Sequence, residues 1–257
     1  MKRLAVVVSV ASVLVMLGFT SSGNRQLTSQ KLDIRVESAT GNYFICQAMV
    51  RETIIKEMDT LEGRMVTQDM IIQLHEMVNG LPWVKEARVY RTIKANIHVD
   101  VRLRDPMFRV INRHNDSYYV DRDGKVFPLS DEHTARVMLV TGHISASPQN
   151  TASFADPDEQ QDTQEGIQLK SLFELASYIS NDAFWNAFID HVYVRADGQF
   201  ELTPKNGAHI IEFGHATGIP EKFDKLMAFY RGGITQVGWR YYNRVNIAYT
   251  NQVICSK

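Results

Sequence analysis

The sequence predicts an α+β protein: an N-terminal transmembrane helix, a small unit of three strands and two helices, and then a mostly antiparallel β domain with helices. Three observations predict it. The chain opens on a charge-free apolar run, and residues 93–104 alternate apolar and polar side chains without a break. After Pro106, short strand patterns and helical stretches recur between turn residues. A strand sends successive side chains to opposite faces. Ile93, Ala95, Ile97, Val99, Val101 and Leu103 therefore mark a buried face, and Lys94, Asn96, His98, Asp100, Arg102 and Arg104 a wet one.

Residues 1–3, Met1-Lys2-Arg3, are basic, and the run 4–24 from Leu4 to Asn24 carries no charge. As a helix that run is about 30 Å long, enough to cross a bilayer core. Lys2 and Arg3 would keep the start in the cytoplasm. A cleaved signal peptide fits the same composition, with Thr20-Ser21-Ser22-Gly23 as the cleavage region. Either arrangement exports the remainder. Residues 25–31 read as a polar linker.

Leu32, Ile34 and Val36 alternate in a first strand, Lys31 to Glu37, which Gly41 and Asn42 break. Phe44 to Met58 has helical spacing at Ile45, Ala48, Met49 and Glu52, followed by Ile54 and Ile55. Thr67 to Val78 is the clearer helix. Thr67 caps it, Asp69 suits its first turn, and Met70, Ile71, Leu74, Met77 and Val78 make one apolar stripe. Asn79-Gly80 and Pro82 stop it. A short strand, Val84 to Tyr90, then forms a hairpin with the long alternating one. The order strand, helix, helix, strand, strand makes a compact unit whose helices cover one face of a three-stranded sheet.

From Pro106 the pattern changes. Met107 to Ile111 is a strand, and Ser117 to Val120 and Lys125 to Leu129 form a hairpin around Asp121-Arg122-Asp123-Gly124. Arg136 to Thr141 is a further strand, and residues 143–166 are a long, polar, acidic surface loop or a mobile insertion. Ile167 to Ser180 is an amphipathic helix with Leu169, Leu172, Phe173, Ala176 and Ile179 facing in; Asn181-Asp182 caps a short continuation through Phe188. Strands follow at Ile189 to Arg195, Gln199 to Thr203 and Ala208 to Phe213. Pro220 opens a helix, Glu221 to Tyr230, which Gly232-Gly233 ends. The last strand is Arg244 to Ile254, with Val245, Ile247, Tyr249 and Val253 in phase.

The composition excludes several functions. A net charge of −1 lacks the basic surplus of a nucleic-acid binder. No G-x-S-x-G, P-loop or H-E-x-x-H motif is present. Asp121-Arg122-Asp123-Gly124 echoes the start of a calcium loop but lacks its later ligands, so it reads as a turn. The eight histidines are scattered, and Asp190-His191 has no nucleophile placed by a motif. Cys46 and Cys255 read as unpaired thiols. No catalytic, cofactor or metal residue and no small-molecule substrate is expected. An exported chain without a reaction centre suggests a protein binder, and a terminal strand at a sheet edge can accept a partner's strand. The candidate residues are Tyr242, Arg244, Val245, Ile247, Tyr249, Asn251 and Val253, with a proline at Ile247 expected to break the added ladder.

The chain resembles the FtsQ/DivIB cell-division family. The resemblance is carried by Leu81-Pro82-Trp83-Val84-Lys85-Glu86-Ala87-Arg88-Val89, by Ile97-His98-Val99-Asp100-Val101 and by Arg104-Asp105-Pro106. It continues in Tyr118-Tyr119-Val120-Asp121 with Gly124, Arg136-Val137 leading to Gly142, Glu221-Lys222-Phe223, and Val245 through Val253. It implies an uncleaved single-pass anchor in the inner (cytoplasmic) membrane, with the N-terminus cytoplasmic and the bulk periplasmic. It implies a polypeptide-transport-associated (POTRA) domain at 32–104, a β domain at 105–257, and a non-enzymatic division scaffold at the septum. That scaffold would bind FtsL-like and FtsB/DivIC-like partners, the latter by strand addition at the C-terminal edge, and help control septal peptidoglycan synthesis. Asn246 and Ala248 stand where many relatives have acidic and basic residues, so no partner salt bridge carries over there. The alternatives are an outer-membrane assembly or transport factor with a POTRA unit, and a periplasmic hydrolase using Asp190 and His191.

Overall fold

The computed structural model describes residues 31–59, 61, 63, 65–94, 96–155, 164–206, 209–234, 238–239 and 241–257. The expected tail and anchor, and the linker up to Gln30, lie outside the described residues. Among the described residues no helix is long and apolar enough to cross a membrane. The chain forms two compact units. Of the described residues, the first comprises 31–36, Cys46–Leu81 and Glu86–Arg102, and the second Glu37–Ile45, Pro82–Lys85 and Leu103–Lys257.

In the first unit, β1 (Leu32–Glu37), α1 (Gln47–Met58), α2 (Gln68–Asn79), β2 (Val84–Arg91) and β3 (Ile97–Leu103) follow the expected order, and β3 is the central strand of three. Thr67 caps α2, its hydroxyl accepting from the Met70 N–H at 3.2 Å, and Leu74 and Val78 are buried along the anticipated stripe. The parity of β3 holds, with Ile97, Val99 and Val101 buried. On the opposite face His98 stacks on Tyr90 at 5.2 Å and meets Asp33 at 3.1 Å.

Two expectations fail here. The long strand starts at Ile97, not Ile93, whose side chain is 95 % exposed. Helix α1 starts at Gln47, not Phe44, and its buried residues are Val50 and Ile54, while Ala48 is exposed. Phe44 belongs to the second unit, where it packs 5.3 Å from Tyr119 and 5.5 Å from Phe127. Burying a phenylalanine is worth about 1.5–3 kcal/mol, whereas helix propensities differ by about 0.7 kcal/mol or less. Local pattern loses to that contact.

The second unit continues with β4 (Pro106–Ile111), β5 (Ser117–Asp121), β6 (Val126–Pro128), β7 (Met138–Gly142), α3 (Gln164–Asn181), α4 (Ala183–Phe188), β8 (Ile189–Val194), β9 (Phe200–Pro204), β10 (Ile210–Gly214), α5 (Ile219–Phe229), β11 (Arg244–Asn246) and β12 (Ile254–Ser256). Its nine strands form one sheet in the order β12-β11-β10-β9-β8-β7-β4-β5-β6. Five of the neighbouring pairs are antiparallel; β4–β7, β7–β8 and β10–β11 are parallel. Leu169, Leu172, Leu175, Ala176 and Ile179 of α3 join Phe223 and Leu226 of α5 in the main core, with Val140, Val192, Leu202, Ile211 and Val245 from the sheet. The faces of β5 separate its tyrosines: Tyr118 lies in that core, and Tyr119 lies with Phe44, Phe127 and Ala135 in a second cluster.

Local signals behave as expected at the caps and turns. Asp182 accepts from the N–H groups of Phe184 and Trp185, both at 2.9 Å, and starts α4. The Asp121 carboxylate, 1 % exposed, accepts from the N–H groups of Asp123 and Lys125 and pairs with Arg104 at 2.8 Å. Its lone pairs close a turn, so the calcium-like spelling has a structural cause. The two cysteines are free.

Three readings of this unit need correction. The segment from 143 is not a surface loop over its first part, because Ile144, Ala146 and Phe154 are buried, and Phe154 meets Phe108 edge-on at 5.9 Å. Its acidic residues 156–163 lie outside the described residues. Gly232-Gly233 does not end α5 at once: a π-helical turn, Tyr230–Ile234, carries the chain through both glycines. The single last strand is two short ones, β11 and β12, antiparallel to each other and joined by a turn.

Candidate partner-binding edge

The C-terminal border of the sheet is built inward from β12. Strand β11 is not an edge: it lies between β10, with which it is parallel, and β12. Val245 and Ile247 are fully buried, and the Ile247 N–H donates to the Glu212 carbonyl at 3.0 Å, extending the ladder past β11. On the other face Arg244 pairs with Glu212 and, at 2.7 Å, with Glu201, which Arg195 also meets at 3.5 Å. The hydrogen bond to Glu212 holds the Arg244 guanidinium above its already high pKa. Asn246 donates to the Glu212 carboxylate and accepts from the Ala248 N–H at 2.9 Å. These polar groups are satisfied within the chain, across neighbouring strands.

The turn between β11 and β12 breaks the predicted strand for a nonlocal reason. Lys225 of α5 donates to the carbonyls of Ile247, at 2.9 Å, and Tyr249. Burial lowers the pKa of Lys225, and it lowers that of Lys222, which donates to the His215 carbonyl at 2.6 Å. Gly214 makes room for the turn: at φ +75° an added Cβ would sit 2.7 Å from the Ala248 Cβ. Asn251 takes a left-handed conformation, φ 59°, which asparagine tolerates better than most residues.

The expected site residues therefore divide. Tyr242 is half-buried against Phe229 and Tyr241; Arg244, Val245 and Ile247 are structural; Tyr249 and Asn251 are exposed on the turn; Val253 is half-buried. A proline at Ile247 would injure the unit itself, since it removes a bonded N–H at a buried position. The outermost strand is Ile254–Ser256, which the reading of one continuous strand missed. The signal available was the polar Thr250-Asn251-Gln252 turn before it.

The two sheet borders differ. At the β6 border the Val126 N–H donates to the Ala152 carbonyl, the Phe154 N–H donates to the Gly124 carbonyl, and Lys125 bridges Ser153. The Trp83 indole N–H also donates to the Pro128 carbonyl at 3.2 Å. That border is covered by the chain's own residues. At β12 no strand lies outside Ile254–Ser256 among the described residues, and Ile254 is 46 % exposed. Exposed Tyr249 and Tyr241 lie near it in sequence, Tyr241 under the Lys257 ammonium at 4.1 Å. Burial raises the pKa of the Cys255 thiol, which keeps it protonated. Such an edge can accept a strand through backbone hydrogen bonds. Among the described residues no group of three or more His, Cys, Asp or Glu is placed to hold a metal.

A family model described as FtsQ/DivIB, C-terminal related, matches residues 105–256. No curated protein matches the chain.

Proposed function

Because the chain belongs to the FtsQ/DivIB, C-terminal related family, whose members act in cell division, we propose that it is a non-enzymatic divisome scaffold that captures an FtsB/DivIC-like partner by adding that partner's strand to β12. In this reading residues 4–24 anchor it in the inner membrane, 32–104 form a POTRA-type domain, and 105–257 form the partner-binding β domain in the periplasm. An FtsL-like protein joins the complex, which acts at the septum on peptidoglycan synthesis. The observation that carries the reading is the uncovered β12 border beside a covered β6 border.

Successive N–H groups of a strand point to opposite sides. Of Cys255→Pro and Ser256→Pro, one removes a donor facing β11 and the other a donor facing outward. The outward one should leave the denaturation midpoint of the second unit unchanged and cut capture of the FtsB-like partner at least tenfold. Wild-type capture by both variants would refute strand addition at β12.

A further inference from the structure

Strands β4, β7 and β8 are parallel neighbours, and β10 runs the same way, because it is antiparallel to β9 and β9 to β8. All four leave the sheet at one end. There Arg113 after β4, His143 after β7, Asp197 after β8 and His215 after β10 line a crevice of about 650 Å³, and the first turns of α3 add Glu165 and Gln168. In open sheets ligands bind outside the carboxyl ends of parallel strands, where consecutive connections diverge. The divergence is present between the neighbours β4 and β7: β7 leads through α3 to β8 on one side, whereas β4 turns back into β5 on the other. Gly142, at φ +112°, brings the exit of β7 against β8 so closely that a Cβ would lie 2.1 Å from the Val194 carbonyl oxygen. The His143 N–H donates to that carbonyl at 2.8 Å.

The lining selects among ligands. The lining carries one arginine, Arg113, and one glutamate, Glu165, and Asp197 is held by Arg195 at 3.2 Å, so no surplus of either sign favours a phosphate or a cation. Among the described residues, no hydrogen bond involves the side chains of His143, Gln168 or His215. Amide, imidazole and carboxylate groups between them donate and accept, which matches a ligand bearing many hydroxyls. We propose that this crevice binds a saccharide, with Gln168 and Glu165 bonding its hydroxyls and Arg113 donating from the exit of β4. The site lies at the strand ends and does not depend on partner capture at β12.

The test is calorimetric titration of the full chain, in a detergent without a sugar headgroup, with the tetramer of N-acetylglucosamine. Saturable binding is expected, weakened at least fivefold in Gln168→Leu and in Glu165→Gln. Gln168 is half-exposed on a helix, so Gln168→Leu should keep the wild-type thermal midpoint. Inorganic phosphate at equal concentration should not compete. Absence of saturable binding, equal binding by both variants, or displacement by phosphate would each overturn the proposal. Partner capture is measured separately on the β12 variants, so either reading can fail alone.

Discussion

Replacing Phe154 with alanine tests whether the segment after β7 is part of the core. Phe154 is fully buried, 5.9 Å from Phe108 and 6.3 Å from Tyr118 by ring centroids. Deleting a buried phenylalanine side chain costs about 3–5 kcal/mol, of which each aromatic pair accounts for about 0.5–1.5 kcal/mol. A surface-loop substitution would stay within about 0.5 kcal/mol. With a urea slope of about 2–3 kcal/mol per molar, the midpoint should fall by about 1–2 M. Trp185, in the same core, supplies a fluorescence signal for this unit. The variant should also uncover the β6 border, because the Phe154 N–H bond to Gly124 and the Lys125–Ser153 bridge lie in the loosened segment. Concentration-dependent association would report that. A midpoint shift below about 0.3 M, less than about 1 kcal/mol on the same slope, would refute the argument.

Gly214→Ala combines a left-handed backbone with a Cβ 2.7 Å from Ala248, so it should cost about 2–4 kcal/mol in chemical denaturation. Asp121→Ala strands the Arg104 charge and two backbone N–H groups at a site 1 % exposed, and a loss of about 3–5 kcal/mol is expected; a loss under about 1 kcal/mol would contradict the assigned role. Burial holds the pKa values of His191 and His209 below 6.5, opposed by the Asp190 charge and a Trp239 backbone hydrogen bond respectively. Unfolded imidazoles then bind protons before folded ones, so this stability is fully present above pH 6.5 and is lost as pH falls through that value toward the lowered folded values. Denaturation midpoints should drop from pH 7.5 to 5.5, and less steeply in His209→Phe; equal slopes would show that His209 does not contribute.

What the sequence by itself determined is what neighbours in the chain decide. Thr67 and Asp182 start their helices because a side-chain oxygen reaches an N–H two or three residues away. The turn at Asp121 and the alternation from Ile97 to Leu103 are equally local. The resemblance to a division family was legible for a similar reason, as ordered short motifs along the chain, and the match at 105–256 bears it out. The tertiary structure alone decided the rest. Phe44 leaves its helical pattern for Tyr119 and Phe127, and Phe154 turns an apparently polar loop into core. Lys225 holds two carbonyls and divides the final strand, so the open edge moves from the predicted residues to Ile254–Ser256. Each decision joins residues far apart in the chain. Its energy comes from burial or pairing with a partner that no local pattern can reveal, and it exceeds the fraction of a kcal/mol by which local preferences differ.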